Sequence, residues 1–276
     1  MPMAEIPSEV VLYDVRGRTA IITLNRPARL NAWNPALHEG YFSSLDRAAA
    51  DPGVRAIVVT GAGRGFCAGA DMEMLQRIDP ENGIDEADRP PREASGRTWT
   101  HVHATTIPKP VIAAVNGACA GLGFVHALAC DLRFAAEGAK FTVAFSRRGL
   151  IAEHGSSWLL PRLVGQSVAL DLALSGRVFL AEEAAQLGVV NRVCRPDVLL
   201  EETLAYADDL ATNVSPTSMA VMKQQLYTHP SLPLAEAVAE SDRLMHESLT
   251  RADVVEGVRS YVEKRTPDFS PYVADG

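Results

Sequence analysis

The sequence predicts an α/β fold, with a layered core over residues 1–197 and a helical C-terminal subdomain over residues 198–276. Short β-rich runs alternate with helical segments through most of the chain, which is typical of strands covered by helices. From about Val198 the pattern becomes helical throughout. A chain of 276 residues is long enough for one large domain with an appendage.

A β-hairpin is predicted at the start of the core. Val10–Val15 and Thr19–Leu24 are rich in residues that favour strands, and Arg16-Gly17-Arg18 between them favours a turn. The Asn25-Arg26-Pro27 segment then ends the second strand. The chain should therefore enter the core through two antiparallel strands.

An amphipathic helix follows the hairpin. Asn34 is a good N-cap, and Pro35 fits the first helical turn because its missing N–H would have no partner there. Leu37, Tyr41 and Leu45 then recur at four-residue spacing, which places them on one face. This face is predicted to pack on the core.

Two later strands each lead through a turn of small residues into a helix. The strand Arg55–Thr60 precedes the turn Gly61–Asp71, and the strand Pro110–Val115 precedes the turn Asn116–Phe124. Small side chains let a ligand approach the main chain, and the start of a helix presents free N–H groups. Either turn alone can be explained by tight packing. Two together can present two N–H groups to one oxygen, as an oxyanion hole requires.

The rest of the chain carries weaker patterns. Ile78–Arg97 is polar and rich in proline and acidic residues, and it predicts a mobile surface loop. Breaks near Ser215-Pro216, His229-Pro230 and Thr250 divide the helical C-terminal subdomain.

Composition narrows the possible partners. The formal net charge of −8 disfavours nucleic acid or an anionic membrane, since both need a basic surface. No run of about 18 apolar residues predicts a membrane span, and residues 1–11 do not resemble a secretory signal, so a cytoplasmic protein is expected. The cysteines are scattered and predict buried, reduced thiols without a metal site. They are Cys67, Cys119, Cys130 and Cys194.

The order of several segments resembles the crotonase superfamily, the enoyl-CoA hydratase/isomerase family, nearly from end to end. The segments are Leu24–Pro27, Leu30–Ala32, the two small-residue turns, Leu174–Arg177, Ala181–Asn191 and Tyr261–Arg265. This resemblance implies a crotonase-like ββα spiral core and an enzyme acting on an acyl-coenzyme A thioester. It also implies an oxyanion hole made of the N–H groups of Ala68 and Leu122.

The resemblance implies further contacts. Gly69, Ala70, Asp71 and Gly121 belong to the two turns and are expected at the substrate, although the Asp71 carboxylate should stabilise the following helix rather than react. Phe145 and Trp158 are expected to line the acyl pocket.

The resemblance also implies how coenzyme A would bind, as part of the substrate, with no cofactor held permanently. Arg29 should lie near the phosphates and Ala32, with Asn31, in the adenine pocket. Tyr261 and Lys264 should reach the coenzyme A of a neighbouring subunit in a homotrimer or a dimer of trimers. Plain helix packing for Tyr261 and a solvated charge for Lys264 are the alternatives.

Hydratases of this family use two glutamates to handle water, and here the matching positions are Val125 and Phe145. Glu153 instead stands alone in a turn before a helix, as in 3,2-enoyl-CoA isomerases, and Gly121-Leu122 also resembles those isomerases. A shift of a double bond needs only one base, so Glu153 is predicted to move a proton from C2 to C4. Burial should raise its pKa. The competing interpretation is a carboxylate that caps the next helix.

Other functions remain open from the sequence. They are a hydratase that uses Glu153 alone, a non-catalytic acyl-CoA-binding protein, and, less favoured by the acidic balance, an RNA-binding member of the fold. His101, His103 and His126 lack a spaced ligand set and are expected to be structural. His154 is expected to point away from the substrate because it neighbours Glu153 in a turn.

Overall fold

The computed structural model describes residues 10–79, 81, 83 and 99–272. The strands are β1 Val11–Arg16, β2 Thr19–Leu24, β3 Ala56–Gly61, β4 Gly65–Cys67, β5 Val111–Val115, β6 Ala118–Ala120, β7 Leu132–Ala136, β8 Lys140–Thr142, β9 Phe179–Leu180 and β10 Arg192–Cys194. The helices are α1 Pro35–Ala50, α2 Met72–Gln76, α3 Leu122–Ala129, α4 Ser156–Val164, α5 Gln166–Ser175, α6 Ala181–Gln186, α7 Leu199–Asn213, α8 Pro216–Thr228, α9 Leu234–Leu249 and α10 Ala252–Glu263.

The strands form two sheets, and the chain alternates between them. One sheet has the order β1-β2-β3-β5-β7-β10 and the other the order β4-β6-β8-β9. Each of β3, β5 and β7 in the first sheet is followed directly by a strand of the second. After β4 and after β6 a helix then returns the chain to the first sheet. This repeat of two strands and a helix confirms the predicted ββα spiral core.

The hairpin and the first helix are confirmed. β1 and β2 pair antiparallel with Val11 opposite Leu24, and Gly17 takes the positive φ of 58° that the turn requires. The side chain of Asn34 accepts a hydrogen bond from the Leu37 amide at 2.9 Å, which caps α1 as predicted. The apolar face of α1 is fully buried against the sheet.

The C-terminal helices end and begin at the predicted breaks. Ser215 caps α8, where its hydroxyl accepts from the Ser218 amide at 3.1 Å. The Lys223 ammonium of α8 donates to a carboxylate oxygen of Asp131, the residue before β7, at 2.7 Å. α7 packs on the first sheet. The division of the chain into two domains at residue 198 stays a prediction.

The predicted mobile loop from Ile78 to Arg97 lies almost entirely outside the described residues, and it stays a prediction. The four cysteines are buried and free, as predicted. No helix within the described ranges is long and apolar enough to cross a membrane.

Candidate active site

A cavity of about 460 Å³ opens between the two small-residue turns. It brings together most of the predicted site residues, although they come from distant parts of the sequence. Those that line it are Arg29, Ala32, Ala68, Gly69, Ala70, Asp71, Gly121, Leu122, Phe145 and Glu153. Trp158, Tyr261 and Lys264 do not line it.

The two turns touch each other because they carry glycine at the points of contact. A Cβ built on Gly123 would lie 2.1 Å from the carbonyl oxygen of Cys67, so only glycine fits there. Gly69 has a φ of 99°, and a Cβ on it would lie 3.8 Å from the Cα of Gly121. The close approach puts the main chain of both turns on the same wall of the cavity.

The prediction that the Ala68 amide belongs to the oxyanion hole is wrong. That N–H donates to the carbonyl oxygen of Leu30 at 3.0 Å, so it has no free hydrogen for a substrate. Trp33 and Ala70 form a parallel β-bridge, in which the Trp33 amide donates to the Gly69 oxygen and the Asp71 amide donates to the Trp33 oxygen. In such a bridge the N–H of the central residue, here Ala70, points away from the partner segment. Within the described part of the chain the Ala70 amide has no hydrogen-bond partner.

The second turn leaves an amide free at the start of α3. The Gly121 amide donates to the Thr142 oxygen at 3.1 Å, and Leu122 is the first helical residue. The first amides of a helix have no partner within it, and the helix dipole adds partial positive charge at this end. The Leu122 N–H therefore suits an oxygen that becomes negative.

Glu153 lines the same cavity from the turn before α4. Its side chain is 28% exposed, and burial raises the pKa of its carboxyl group. Within the described part of the chain, the basic group in contact with it is the Nε2 atom of His154, 3.7 Å from Oε2. The N-cap of α4 is Gly155, and no side chain caps that helix. The alternative role of Glu153 as a helix cap is thus wrong.

The side chains at the two positions expected to hold glutamates in hydratases cannot transfer a proton. Val125 is fully buried in α3. Phe145 lines the cavity with an almost completely buried ring. Phe145 therefore makes an apolar wall next to the turn of Gly121, where a second carboxylate is absent.

Asp71 is the other carboxylate that the described part of the chain places on the cavity, and its oxygens already have hydrogen-bond and ion-pair partners. It accepts from the Glu73 amide at 3.1 Å as the N-cap of α2, and it pairs with Arg26 at 2.8 Å. Burial by itself raises the pKa of Asp71, but the hydrogen bonds from Arg26 and Glu73 outweigh it and lower the pKa. An ionised, paired carboxylate is a poor base, so the structural role expected for Asp71 is supported.

Of the residues expected near coenzyme A, two line the cavity and the others do not. Arg29 and Ala32 line the cavity, and Arg29 pairs with Glu73 at 2.6 Å through largely exposed side chains. Such an exposed pair is weak, and the expected place of Arg29 near the phosphates stays a prediction. Asn31 is fully buried and is not in the lining. Its side-chain amide donates to the Ala62 and Gly65 oxygens, which ties this loop to the first turn.

Tyr261 and Lys264 lie at the exposed end of α10. Their expected role involves a neighbouring subunit and stays a prediction. Trp158 is placed elsewhere, which corrects its expected contact with the acyl group. Its ring lines a separate surface cavity with Val102 and Lys223, and the Arg162 guanidinium lies 3.7 Å from the ring centroid.

The histidines show what sequence reasoning missed. His38, His101 and His154 line the cavity. His101 was expected to be structural, and His154 was expected to point away from the substrate. His126 is buried and bonds to His101, and His103 pairs with Asp46 at 2.6 Å, as structural residues do. No spacing signal links them, because α1, α3 and two loops supply them separately.

Neither a metal nor a thiol explains the site. Across residues 10–79, 81, 83 and 99–272, no group of three or more His, Cys, Asp or Glu side chains has a geometry for a metal ion. Burial raises the pKa of the Cys67 thiol to about 12, so it is a poor nucleophile. The chemistry of the cavity consists of free amides, one available carboxylate and neutral imidazoles.

Comparisons with known proteins show which family and structures the chain is similar to. A family model described as enoyl-CoA hydratase/isomerase matches residues 15–271. The 1,2-epoxyphenylacetyl-CoA isomerase of Escherichia coli is 35% identical over 95% of this chain and 98% of its own length. The 2,3-dehydroadipyl-CoA hydratase of the same bacterium is 35% identical over 91% of this chain and 95% of its own. The crystal structure of an enoyl-CoA hydratase from Mycobacterium marinum is 51% identical, with a TM-score of 0.67 over 82% of this chain and 100% of that one.

Proposed function

The chain belongs to the enoyl-CoA hydratase/isomerase family, and from this premise we propose that it shifts the double bond of a 3-enoyl-CoA. Members of the family act on acyl-CoA thioesters. The finer assignment rests on Glu153, which is the carboxylate of the described cavity lining that no cation holds. A double-bond shift requires only one acid–base group. Hydration by the two-carboxylate mechanism requires a second carboxylate as well.

The proposed reaction begins with the thioester oxygen between the amides of Ala70 and Leu122. Glu153 removes a proton from C2, and the electron pair of the C2–H bond forms a C2–C1 double bond while negative charge moves to the thioester oxygen. The two N–H groups stabilise this dienolate. The protonated Glu153 then delivers its proton to C4 as the thioester carbonyl re-forms, which leaves the double bond between C2 and C3. No atom is gained or lost.

The surroundings of Glu153 suit both halves of this transfer. A base works best when its pKa lies near the working pH, and burial moves the pKa of this carboxyl upward. Burial also lowers the pKa of His154, so the neighbouring imidazole is neutral and does not oppose that shift. Glu153 can therefore accept a proton and release it again.

The alternative within the family is hydration of a 2-enoyl-CoA. It is favoured by the names of relatives, such as the E. coli 2,3-dehydroadipyl-CoA hydratase. Another relative is named an isomerase, of 1,2-epoxyphenylacetyl-CoA. Hydration here would have to use Glu153 on water with no second carboxylate, since Val125 and Phe145 occupy the other positions. We expect that reaction to be slow.

The test is an absorbance assay of the wild type and Glu153→Gln on 3-hexenoyl-CoA and on crotonyl-CoA. Isomerisation creates a conjugated thioester and hydration destroys one, so the two reactions change absorbance in opposite directions. We expect the wild type to convert 3-hexenoyl-CoA and Glu153→Gln to lose at least about a hundredfold in kcat, the low end of general acid–base contributions. Glu137→Gln, on an exposed turn outside the cavity, is the matched control and should keep full activity.

The pH profile of the wild type adds a second readout. Because Glu153 must be ionised to remove the C2 proton, kcat/KM should fall on the acid side through a pKa above the ordinary glutamate value of about 4.3. Hydration of crotonyl-CoA as the main activity would contradict the isomerase assignment. Binding of both thioesters without turnover would favour a non-catalytic acyl-CoA-binding protein.

A further inference from the structure

Glu153 and His154 are consecutive residues, and both line the cavity. Side chains of consecutive residues usually point in different directions. Here His154 has a φ of 53° and Gly155 after it a φ of 82°, and two left-handed residues in a row bend the chain sharply. A positive φ is uncommon outside glycine, and such conformations cluster at functional sites. The turn therefore brings an imidazole to the carboxylate that the proposed reaction uses.

The His154 imidazole can reach both this carboxylate and the solvent. Its side chain is 37% exposed, and its Nε2 atom lies 3.7 Å from Oε2 of Glu153. One bridging water or a small rotation of either side chain closes such a gap. Distances between catalytic groups also shorten in many enzymes when the substrate binds. A proton can therefore pass between the two side chains.

The His154 ring is held in this place from behind. It packs on the ring of His101, with 4.0 Å between centroids. The Nδ1 atom of His101 lies 3.2 Å from Nε2 of His126, which is 1% exposed. Trp33 stacks on His126 with 3.8 Å between centroids. The buried rings thus act as a rigid support, and His154 is the member of the cluster that contacts Glu153.

The electrostatics of the pair favour exchange of a proton. Burial raises the pKa of Glu153 and lowers the pKa of His154, so the two values move toward each other. A proton passes readily in both directions between groups of similar pKa. The nearby imidazoles of His101 and His38 have pKa values lowered by burial to about 3 and about 4. They are uncharged at neutral pH and do not repel a proton on His154.

We propose that His154 is the proton-exchange partner of Glu153, which replaces the proton taken from C2 by a solvent proton before C4 is protonated. This inference rests on the proposed isomerisation. Nε2 of His154 accepts the proton from the Glu153 carboxyl group, which leaves a carboxylate and an imidazolium. The imidazolium exchanges its N–H hydrogens with water and returns a solvent-derived proton to Glu153. No proton is gained or lost overall, and His154 acts through Glu153 without contact to the reacting carbons.

The experiment follows the hydrogen itself. 3-Hexenoyl-CoA with deuterium at both C2 positions is converted in ordinary water, and the 2-hexenoyl-CoA formed at low conversion is weighed by mass spectrometry. Direct transfer to C4 leaves two deuterium atoms in the product, whereas exchange leaves at most one. We expect the wild type to form mainly the exchanged product.

The variant that tests His154 is His154→Asn, since asparagine tolerates a positive φ and does not titrate. We expect it to lower the ratio of exchanged to directly transferred product by at least about tenfold, less than the full contribution of an acid–base group because Glu153 also exchanges slowly by itself. His246→Asn makes the same change at an exposed position of α9 outside the cavity and should keep the wild-type ratio. Melting temperatures establish that each variant folds.

Each result bears on the proposal in a distinct way. The same ratio in the wild type and His154→Asn, or a wild-type product that keeps both deuterium atoms, would overturn the exchange role and leave the isomerase function intact. A folded His154→Asn that forms no product would also overturn it, because His154 would then be required for the chemical step. If the wild type does not convert 3-hexenoyl-CoA, the proposed function fails, and this inference fails with it.

Discussion

At the scale of single residues, the site depends on which main-chain amides are free. Ala68 and Ala70 are both small, both follow the same strand, and both line the cavity. They differ because the Ala68 amide bonds to Leu30, whereas Ala70 is the central residue of the bridge with Trp33. The identity of the side chain does not indicate which amide is free, because the hydrogen-bond donor belongs to the backbone.

The Leu122 amide can be removed with little damage to the helix. Leu122 is the first residue of α3, where proline is well tolerated, and Gly121 before it has no Cβ to clash with the ring. We expect Leu122→Pro to lose about 10²–10³ in kcat on 3-hexenoyl-CoA, the cost of one oxyanion-hole donor. Leu122→Ala keeps the amide and should keep most of the activity. Equal activity of the two variants, both with the wild-type melting temperature, would exclude this amide from the reaction.

At the scale of elements, α8 is fixed to the core by a buried charge. The Lys223 ammonium donates to Asp131 at 2.7 Å and to the carbonyl oxygens of Ala104 and Lys109 at 2.8 and 3.0 Å. Asp131 also accepts from the Tyr227 hydroxyl at 3.1 Å. These bonds connect α8 to the loop after His103 and thus to the segment that carries His101.

Removal of the ammonium should therefore destabilise the fold more than removal of the hydroxyl. We expect Lys223→Met to lower the free energy of unfolding by about 3–5 kcal/mol, because the Asp131 charge is left buried without its partner. Tyr227→Phe removes one neutral donor and should cost about 1 kcal/mol. Urea unfolding measures both. Equal losses for the two variants would show that the ion pair contributes no more than an ordinary hydrogen bond.

At the scale of the whole molecule, the last two helices expose many apolar side chains. Val255, Val258 and Val262 follow helical spacing along one face of α10 and are 66%, 62% and 72% exposed. α9 adds exposed Leu234 and Leu249. Exposed apolar side chains in such number on neighbouring helices are unusual for a monomer. We expect this patch to be covered by further copies of the chain, in a trimer or a dimer of trimers.

A charge placed in the patch should break that assembly. We expect the wild type to show the mass of three or six chains by light scattering, and Val258→Asp to shift it toward one chain, since a buried unpaired carboxylate is costly. Gln166→Glu adds the same charge on the exposed start of α5 and should leave the mass unchanged. A monomeric wild type would contradict the expectation.

Much of the fold and part of the site followed from the sequence because their signals are local. The hairpin at Gly17, the cap at Asn34 and the break at Ser215 each depend on residues within a few positions of one another, and the structure confirms all three. The two small-residue turns were also visible, since only glycine permits the contact at Gly123. Glu153 stands alone in its segment, and the resemblance to the isomerases implied its role as the base.

What only the tertiary structure decided depends on partners that are distant in the sequence. The pairing of Ala68 with Leu30, the turn of the Trp158 ring toward Val102, and the meeting of His38 with His101 each join separate elements. By itself the sequence determined the alternation of strands and helices, the turns and the lone carboxylate, because backbone preference and hydrophobic period act over short range. The ββα spiral was implied by the resemblance to the family. Which amide stays free and which imidazoles face the cavity is set by packing between elements, where no local pattern carries the information.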